Sequence, residues 1–201
     1  MNEPLLIYLH GFNSAPASHK AQRLREEMAR LGLESAYRCP QLPHRPREAV
    51  ALIEAEIARA GGRPVTLVGS SLGGFYATCL AERHDLRAVL LNPAVRPQLE
   101  LETYLGPQRN LYTGATYELT REHIDEWRAL QVERVDPRRY LLIVETGDEV
   151  LDYRLALAKY AGAAQIIVPG GDHSLRSFAC HIPMLLRFAG FDLERCGGRG
   201  S

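Results

Sequence analysis

The segment Val68-Gly69-Ser70-Ser71-Leu72-Gly73-Gly74 places a serine between two glycines, each two positions away. Small residues at those places let the chain make a tight strand-to-helix turn from which a hydroxyl projects. The apolar run Val65–Gly69 reads as the strand before the turn. Leu72, Phe75, Tyr76, Cys79 and Leu80 read as a helix after it, apolar on most sides and therefore central. In that context Ser71 is the expected nucleophile of an acyl-transfer site, with the helix N-terminus favouring negative charge beside it. The competing reading is a glycine turn in which Ser70 or Ser71 only caps the helix.

A serine hydroxyl is a poor nucleophile without a base. Gly170-Gly171-Asp172-His173-Ser174 follows the last apolar run, Gln165–Val168, and its two glycines allow the sharp excursion that would hold an imidazole over the strand ends. His173 is the expected general base; by itself it would read as an exposed loop histidine. An imidazole in turn needs a carboxylate to fix its tautomer. Glu145-Thr146-Gly147-Asp148-Glu149-Val150 follows the run Tyr140–Val144, and Asp148 is the expected acid, with Asp152 and Glu149 as alternatives. The oxyanion of acyl transfer requires two backbone N–H donors. The residue after the nucleophile, Leu72, supplies one; the loop His10-Gly11-Phe12 after the first strand supplies the other, assigned to Phe12 because Gly11 permits close approach. His10 itself reads as a hydrogen-bonded buttress of that loop. His10, Asp172 and His173 lack the spacing of a metal site, and Gly69–Gly74 is neither a phosphate-cradling P-loop nor a dinucleotide fingerprint. No cofactor and no metal are expected.

These residues must be positioned by short apolar runs alternating with helical patterns, the signature of parallel βαβ units. The strands are read at Leu5–Leu9, Ala36–Cys39, Val65–Gly69, Ala88–Leu91, Tyr140–Val144 and Gln165–Val168. Helices are read from Ser18 with Ala21, Leu24, Met28 and Leu31 on one face, from Pro46 with Val50, Ile53, Ile57 and Ala60, over Ser71–Arg83, over Tyr153–Tyr160 and over Phe178–Phe188. Residues 94–139 are too long for a plain loop. They read as a cap insertion in which Thr120 starts a helix with Ile124, Trp127 and Leu130 inward and Glu122, Asp125 and Glu126 outward. One domain over residues 1–192 and an unstructured tail over 193–201 complete the reading.

Composition sets limits on partners. With 24 basic and 24 acidic residues the 201-residue chain has no net charge, so no global field draws it to nucleic acid or to an anionic membrane. The cysteines at 39, 79, 180 and 196 form no CxxC pair and are expected as free thiols. The N-terminus lacks a secretory pattern and no apolar stretch approaches the roughly 20 residues of a membrane span. A cytoplasmic monomer or homodimer acting on a small molecule is expected.

The segments His10-Gly11-Phe12-Asn13-Ser14, Gly69–Gly74, Thr146-Gly147-Asp148-Glu149-Val150-Leu151-Asp152-Tyr153 and Gly171-Asp172-His173 together resemble the YqiA-like esterases, small bacterial members of the α/β-hydrolase superfamily. The resemblance runs from about Leu5 to about Phe188 and rests on HGFNS and TGDEVLDY more than on the widely shared serine turn. It implies an α/β fold with a doubly wound, mostly parallel six-stranded sheet, lacking the first two strands of larger relatives. It also implies Ser71, Asp148 and His173 as a triad and esterase or thioesterase activity on short acyl groups. That family often has an aromatic residue two places after the histidine, where this chain has Leu175. Alternatives on the same fold are an acyltransferase and a non-catalytic module that binds a small molecule. Substrate choice is the property least transferable, because it depends on the insertion.

Overall fold

The computed structural model describes residues 3–196. Every residue of β1 (Leu5–Leu9) is buried, as in a strand covered on both faces. The same holds for β3 (Val65–Ser70) and β7 (Tyr140–Glu145), and for all of β4 (Arg87–Leu91) after its first residue. With β2 (Tyr37–Arg38) and β8 (Ala164–Val168) they form a six-stranded sheet in the order β2-β1-β3-β4-β7-β8, parallel at every pairing. The second strand is shorter than expected. Ala36 closes a 3₁₀ turn over Glu34–Ala36 instead of pairing, and pairing is confined to Tyr37 and Arg38.

Two apolar cores sandwich the sheet. On one face Leu6, Tyr8, Val68, Val89 and Ile143 pack against α1 (His19–Arg30) and α7 (Phe178–Phe188). On the other, Ile7, Leu67, Leu90 and Leu142 pack against α2 (Pro46–Ala58), α3 (Leu72–His84) and Ala156 of α6 (Tyr153–Lys159). Alternate residues of one strand thus serve opposite layers, the expected period of two. The chain passes from β1 out to β2 and returns to place β3 on β1's other side. This reversal between β1 and β3 makes the crevice beyond their C-terminal ends the place where a doubly wound sheet binds ligands.

The insertion is built differently from the expectation of one helix in a long loop. A short α4 (Pro97–Glu100) leads to an antiparallel hairpin, β5 (Gly106–Arg109) with β6 (Thr116–Leu119), and then to α5 (Arg121–Ala129). Thr120 is the N-cap of α5, and Ile124 and Trp127 face the core with Leu130 packed beside them. Glu126 is a correction to the outward reading. Its carboxylate accepts hydrogen bonds from the Arg45 and Arg47 side chains and from the Arg47 amide, tying α5 to the start of α2. The tail is corrected in part too, since Leu193–Cys196 form a one-turn helix, α8. Residues 197–201 lie outside the described ones. Among the cysteines, Cys39, Cys79 and Cys180 are free thiols.

Candidate active site

β3 ends at Ser70 and α3 begins at Leu72, so Ser71 alone makes the turn. It does so at φ 53° and ψ −123°, a region that costs a side-chain-bearing residue on the order of 1–3 kcal/mol and persists only where the surroundings enforce it. Here the backbone is held on both sides. The Ser71 N–H donates to the Leu91 carbonyl, and the Ser71 carbonyl accepts from the Gly74 and Ala94 amides. The glycines are required by contact: a Cβ on Gly69 would stand 2.3 Å from the Gly73 carbonyl oxygen, and one on Gly73 would stand 2.0 Å from that of Leu9. The motif therefore works by letting α3 press against the ends of β1 and β3 while its first turn carries the hydroxyl outward.

The structure brings the three expected side chains together. Ser71 Oγ lies 3.1 Å from His173 Nε2, and His173 Nδ1 lies 2.9 and 3.0 Å from the two carboxylate oxygens of Asp148. A carboxylate only accepts, so Nδ1 carries the proton and Nε2 is left as the acceptor for the serine O–H. The Asp148 side chain is 1% exposed. Burial works to raise its pKa, but the His173 hydrogen bond and the amides of Leu151 and Val150 outweigh this and hold the carboxyl below its usual range. Asp148 is therefore a fixed anion beside the imidazole. The two alternatives have other partners: Asp152 caps α6 and pairs with Arg154, and a Glu149 oxygen accepts the His173 backbone N–H at 3.0 Å.

Phe12 and Leu72 both border the Ser71 cavity, at the ends of β1 and at the start of α3. A Cβ built on Gly11 would lie 3.2 Å from the Ser71 Cβ, so the loop bearing the Phe12 amide runs against the serine. His10 has the buttress geometry, with Nδ1 bonded to the Gly11 carbonyl and Nε2 accepting the Leu42 N–H. Its burial lowers its pKa, which keeps the ring neutral and able to accept.

Two residues unread in the sequence hold the histidine loop. Glu145, at the end of β7, is 1% exposed. Its carboxylate accepts from the amides of Asp172, Arg176 and Ser177 and from the Ser177 hydroxyl. Against the effect of burial these donors keep it below the normal glutamate range. Asn92, following β4 at φ 40°, spans the gap: Nδ2 donates to the carbonyls of Asp172 and His173, and Oδ1 accepts the Glu145 N–H. On the far side Lys20 Nζ donates to the Ser174 carbonyl, and burial pushes this amine down to about 8 despite Asp148, Asp172 and Glu145 nearby.

The cavity enclosing Ser71 and His173 has a volume of about 670 Å³. Tyr104, Leu111, Tyr112 and Val150 combine a place on its wall with high exposure, which makes an apolar rim. Among the described residues no His, Cys, Asp and Glu side chains cluster as metal ligands would, and no helix is long and apolar enough to cross a membrane.

The fold recurs in solved structures of low sequence similarity. A protein from Agrobacterium vitis S4 assigned as a hydrolase superposes with a TM-score of 0.74 at 18% identity, over 92% of this chain and 87% of that one. Est1E from Butyrivibrio proteoclasticus superposes at 0.65 with 18% identity, over 96% and 88%. An α/β-superfamily hydrolase from Oenococcus oeni PSU-1 does so at 0.64 with 17% identity, over 95% and 94%. These likenesses establish an α/β-hydrolase fold. A UPF0227 protein of Pectobacterium carotovorum is 25% identical over 193 residues, 92% of this chain and 98% of its own length. One from Serratia proteamaculans is 22% identical over 157 residues, 76% and 79%. The model of the family matches residues 5–190, nearly the whole folded region, and the chain therefore belongs to the uncharacterised protein family UPF0227.

Proposed function

We propose that the protein is a serine hydrolase that cleaves small carboxylic esters or thioesters through an acyl-enzyme. The observation that carries this reading is the single imidazole bridging a strained serine and a buried carboxylate, with Ser71 Oγ at 3.1 Å and Asp148 at 2.9 Å. In this mechanism Ser71 Oγ attacks the acyl carbon as His173 Nε2 takes its proton. The imidazolium, stabilised by Asp148, gives that proton to the leaving oxygen or sulfur as its bond to carbon breaks. Water then repeats the sequence in reverse roles and frees the acid. The Phe12 and Leu72 amides hold the oxyanion, each worth about 3 kcal/mol in the transition state. Among solved structures of the same fold, Est1E is seen with ferulic acid bound, and LipS and LipT are described as lipolytic enzymes.

A chromogenic short-chain ester should give a burst of product, and a fluorophosphonate should label the protein at one site. Both should vanish in Ser71→Ala. Turnover that persists in Ser71→Ala would remove the proposal. A wild-type protein that binds small esters yet resists the fluorophosphonate would instead be a binding module.

A further inference from the structure

The loop carrying the Phe12 amide has a cavity on each side. The larger, about 670 Å³, contains Ser71 and His173; the smaller, about 210 Å³, lies between this loop, the 41–44 segment and the cap hairpin. Gly11, Phe12 and Leu72 belong to the walls of both, whereas Ser71 and His173 face only the larger one. We propose that the smaller cavity is the acyl subsite and that the preferred substrates are esters of apolar acids with about the bulk of one aromatic ring. The inference rests on the serine-hydrolase reading above and deepens it.

The assignment follows from the stereochemistry of the tetrahedral adduct. The former carbonyl carbon then bears Ser71 Oγ, the oxyanion, the acid's own substituent and the leaving atom. The leaving oxygen or sulfur receives the His173 proton as its bond to carbon breaks, so it must lie on the His173 side, in the larger cavity. The oxyanion is committed to the Phe12 and Leu72 amides. The acid's substituent is left to pass Gly11 toward the smaller cavity. Glycine leaves room there, since a Cβ on it would stand 3.2 Å from the Ser71 Cβ, closer than ordinary van der Waals contact.

The chemistry of the walls agrees. Phe12, Leu42, Pro43, Leu72, Tyr76 and Tyr117 supply apolar and aromatic surface. Several polar atoms around them are engaged within the protein. The Tyr117 hydroxyl donates to Asn13, the Tyr76 hydroxyl accepts from Trp127, and His10 Nε2 accepts from Leu42. Asn110 is used up by Ser14 and by the amides of Tyr112 and Thr113. An occupant here meets mainly apolar and aromatic surface. A dry cavity of about 150 Å³ already accepts benzene, so 210 Å³ suits a benzoyl ring or an aliphatic acyl group of similar size. The larger cavity sets Lys20, Glu100 and Glu149 among apolar residues, an environment that accepts a leaving group carrying polar atoms.

The test measures kcat/KM on p-nitrophenyl acetate, benzoate and 2-naphthoate with the wild type, Ala115→Trp and Leu42→Ala. Ala115 is an exposed residue on the wall of the smaller cavity, so tryptophan there obstructs it without burdening the core; Leu42 is buried, and its truncation enlarges it. Ala115→Trp should lower the benzoate-to-acetate ratio by about tenfold, and Leu42→Ala should raise the naphthoate-to-benzoate ratio by a similar factor, as expected for hydrophobic pockets. Both ratios staying at wild-type values, while acetate turnover still depends on Ser71, would overturn the subsite alone. Absence of ester turnover and of fluorophosphonate labelling in the wild type would overturn the hydrolase reading and the subsite with it.

Discussion

Asp148 and Asp152 leave the same end of β7, yet their surroundings give them different work. Asp148 is buried against the imidazole and receives two further amides, whereas Asp152 accepts the Arg154 amide at the start of α6 and shares its charge with the exposed Arg154 guanidinium. Replacing Asp148 by Asn leaves the shape but puts an amide where only an acceptor serves, which favours the wrong imidazole tautomer. The expected loss in kcat is about 10⁴-fold. Asp152→Ala should leave kcat near wild type and cost about 1 kcal/mol of stability through the lost cap. Steady-state kinetics and a thermal melt on the two variants check this. A kcat loss larger in Asp152→Ala than in Asp148→Asn would reverse the assignment. At this scale the choice was legible only as a preference, because three carboxylates follow the strand and chain order alone does not say which one turns inward.

Among the elements, the loop after β8 depends on residues from three others: Glu145 from β7, Asn92 after β4 and Lys20 in α1. Glu145→Gln keeps the volume but replaces one accepting oxygen by a donor, which then faces amides that also donate. We expect a loss of about 2–3 kcal/mol in stability, as for hydrogen bonds to a buried charge. At a temperature where the variant is fully folded, we expect a fall in kcat with KM little changed, because the imidazole and not the substrate is misplaced. Full kcat in a folded Glu145→Gln would show that the loop needs no anchor there. Glu145 escaped the sequence reading because an acidic residue closing an apolar strand reads as the start of a solvated loop; its burial is set by three amides that come from residues 172–177. The six strands and the serine turn were legible because period and glycine spacing are local. The cap hairpin was not: Gly106-Pro107-Gln108-Arg109 has no apolar alternation and carries the two residues that argue most against a strand. Its order comes instead from contacts with the 13–14 segment, where Asn13 Nδ2 donates to Gln108, Asn13 Oδ1 accepts from Tyr117 and the Ser14 carbonyl accepts from Asn110.

For the molecule as a whole, the question is whether the cap unfolds with the α/β body or ahead of it. Trp127 is the sole tryptophan, fully buried in α5, and its indole N–H donates to the Tyr76 hydroxyl of the central helix α3. Its fluorescence therefore reports cap docking, whereas far-ultraviolet circular dichroism reports the whole chain. A second tie is sensitive to acid. His123 Nδ1 accepts the Thr120 amide, which leaves Nε2 to carry the proton and donate to His44 Nδ1 at 3.1 Å. Burial first, and then the nearby Arg45 and His44, lower the His123 pKa below 6.5. A base whose folded pKa is depressed binds fewer protons folded than unfolded, so its stabilising effect is full above 6.5 and declines as the pH falls from there to the depressed value. Protonation of His123 also puts a hydrogen on Nδ1, which then faces the Thr120 N–H it accepted, and this breaks the cap at the start of α5. At about pH 8 the two probes should therefore melt together, as a cooperative unit does. Below the imidazole range the fluorescence midpoint should fall earlier than the circular dichroism midpoint, and His44→Phe, which keeps the stack on Tyr117 but removes one of the groups that lower the His123 pKa, should reduce the separation. Midpoints that coincide at every pH would mean that Trp127 and the Arg45–Glu126 contact suffice to hold the cap, and that the histidine pair is only part of the packing.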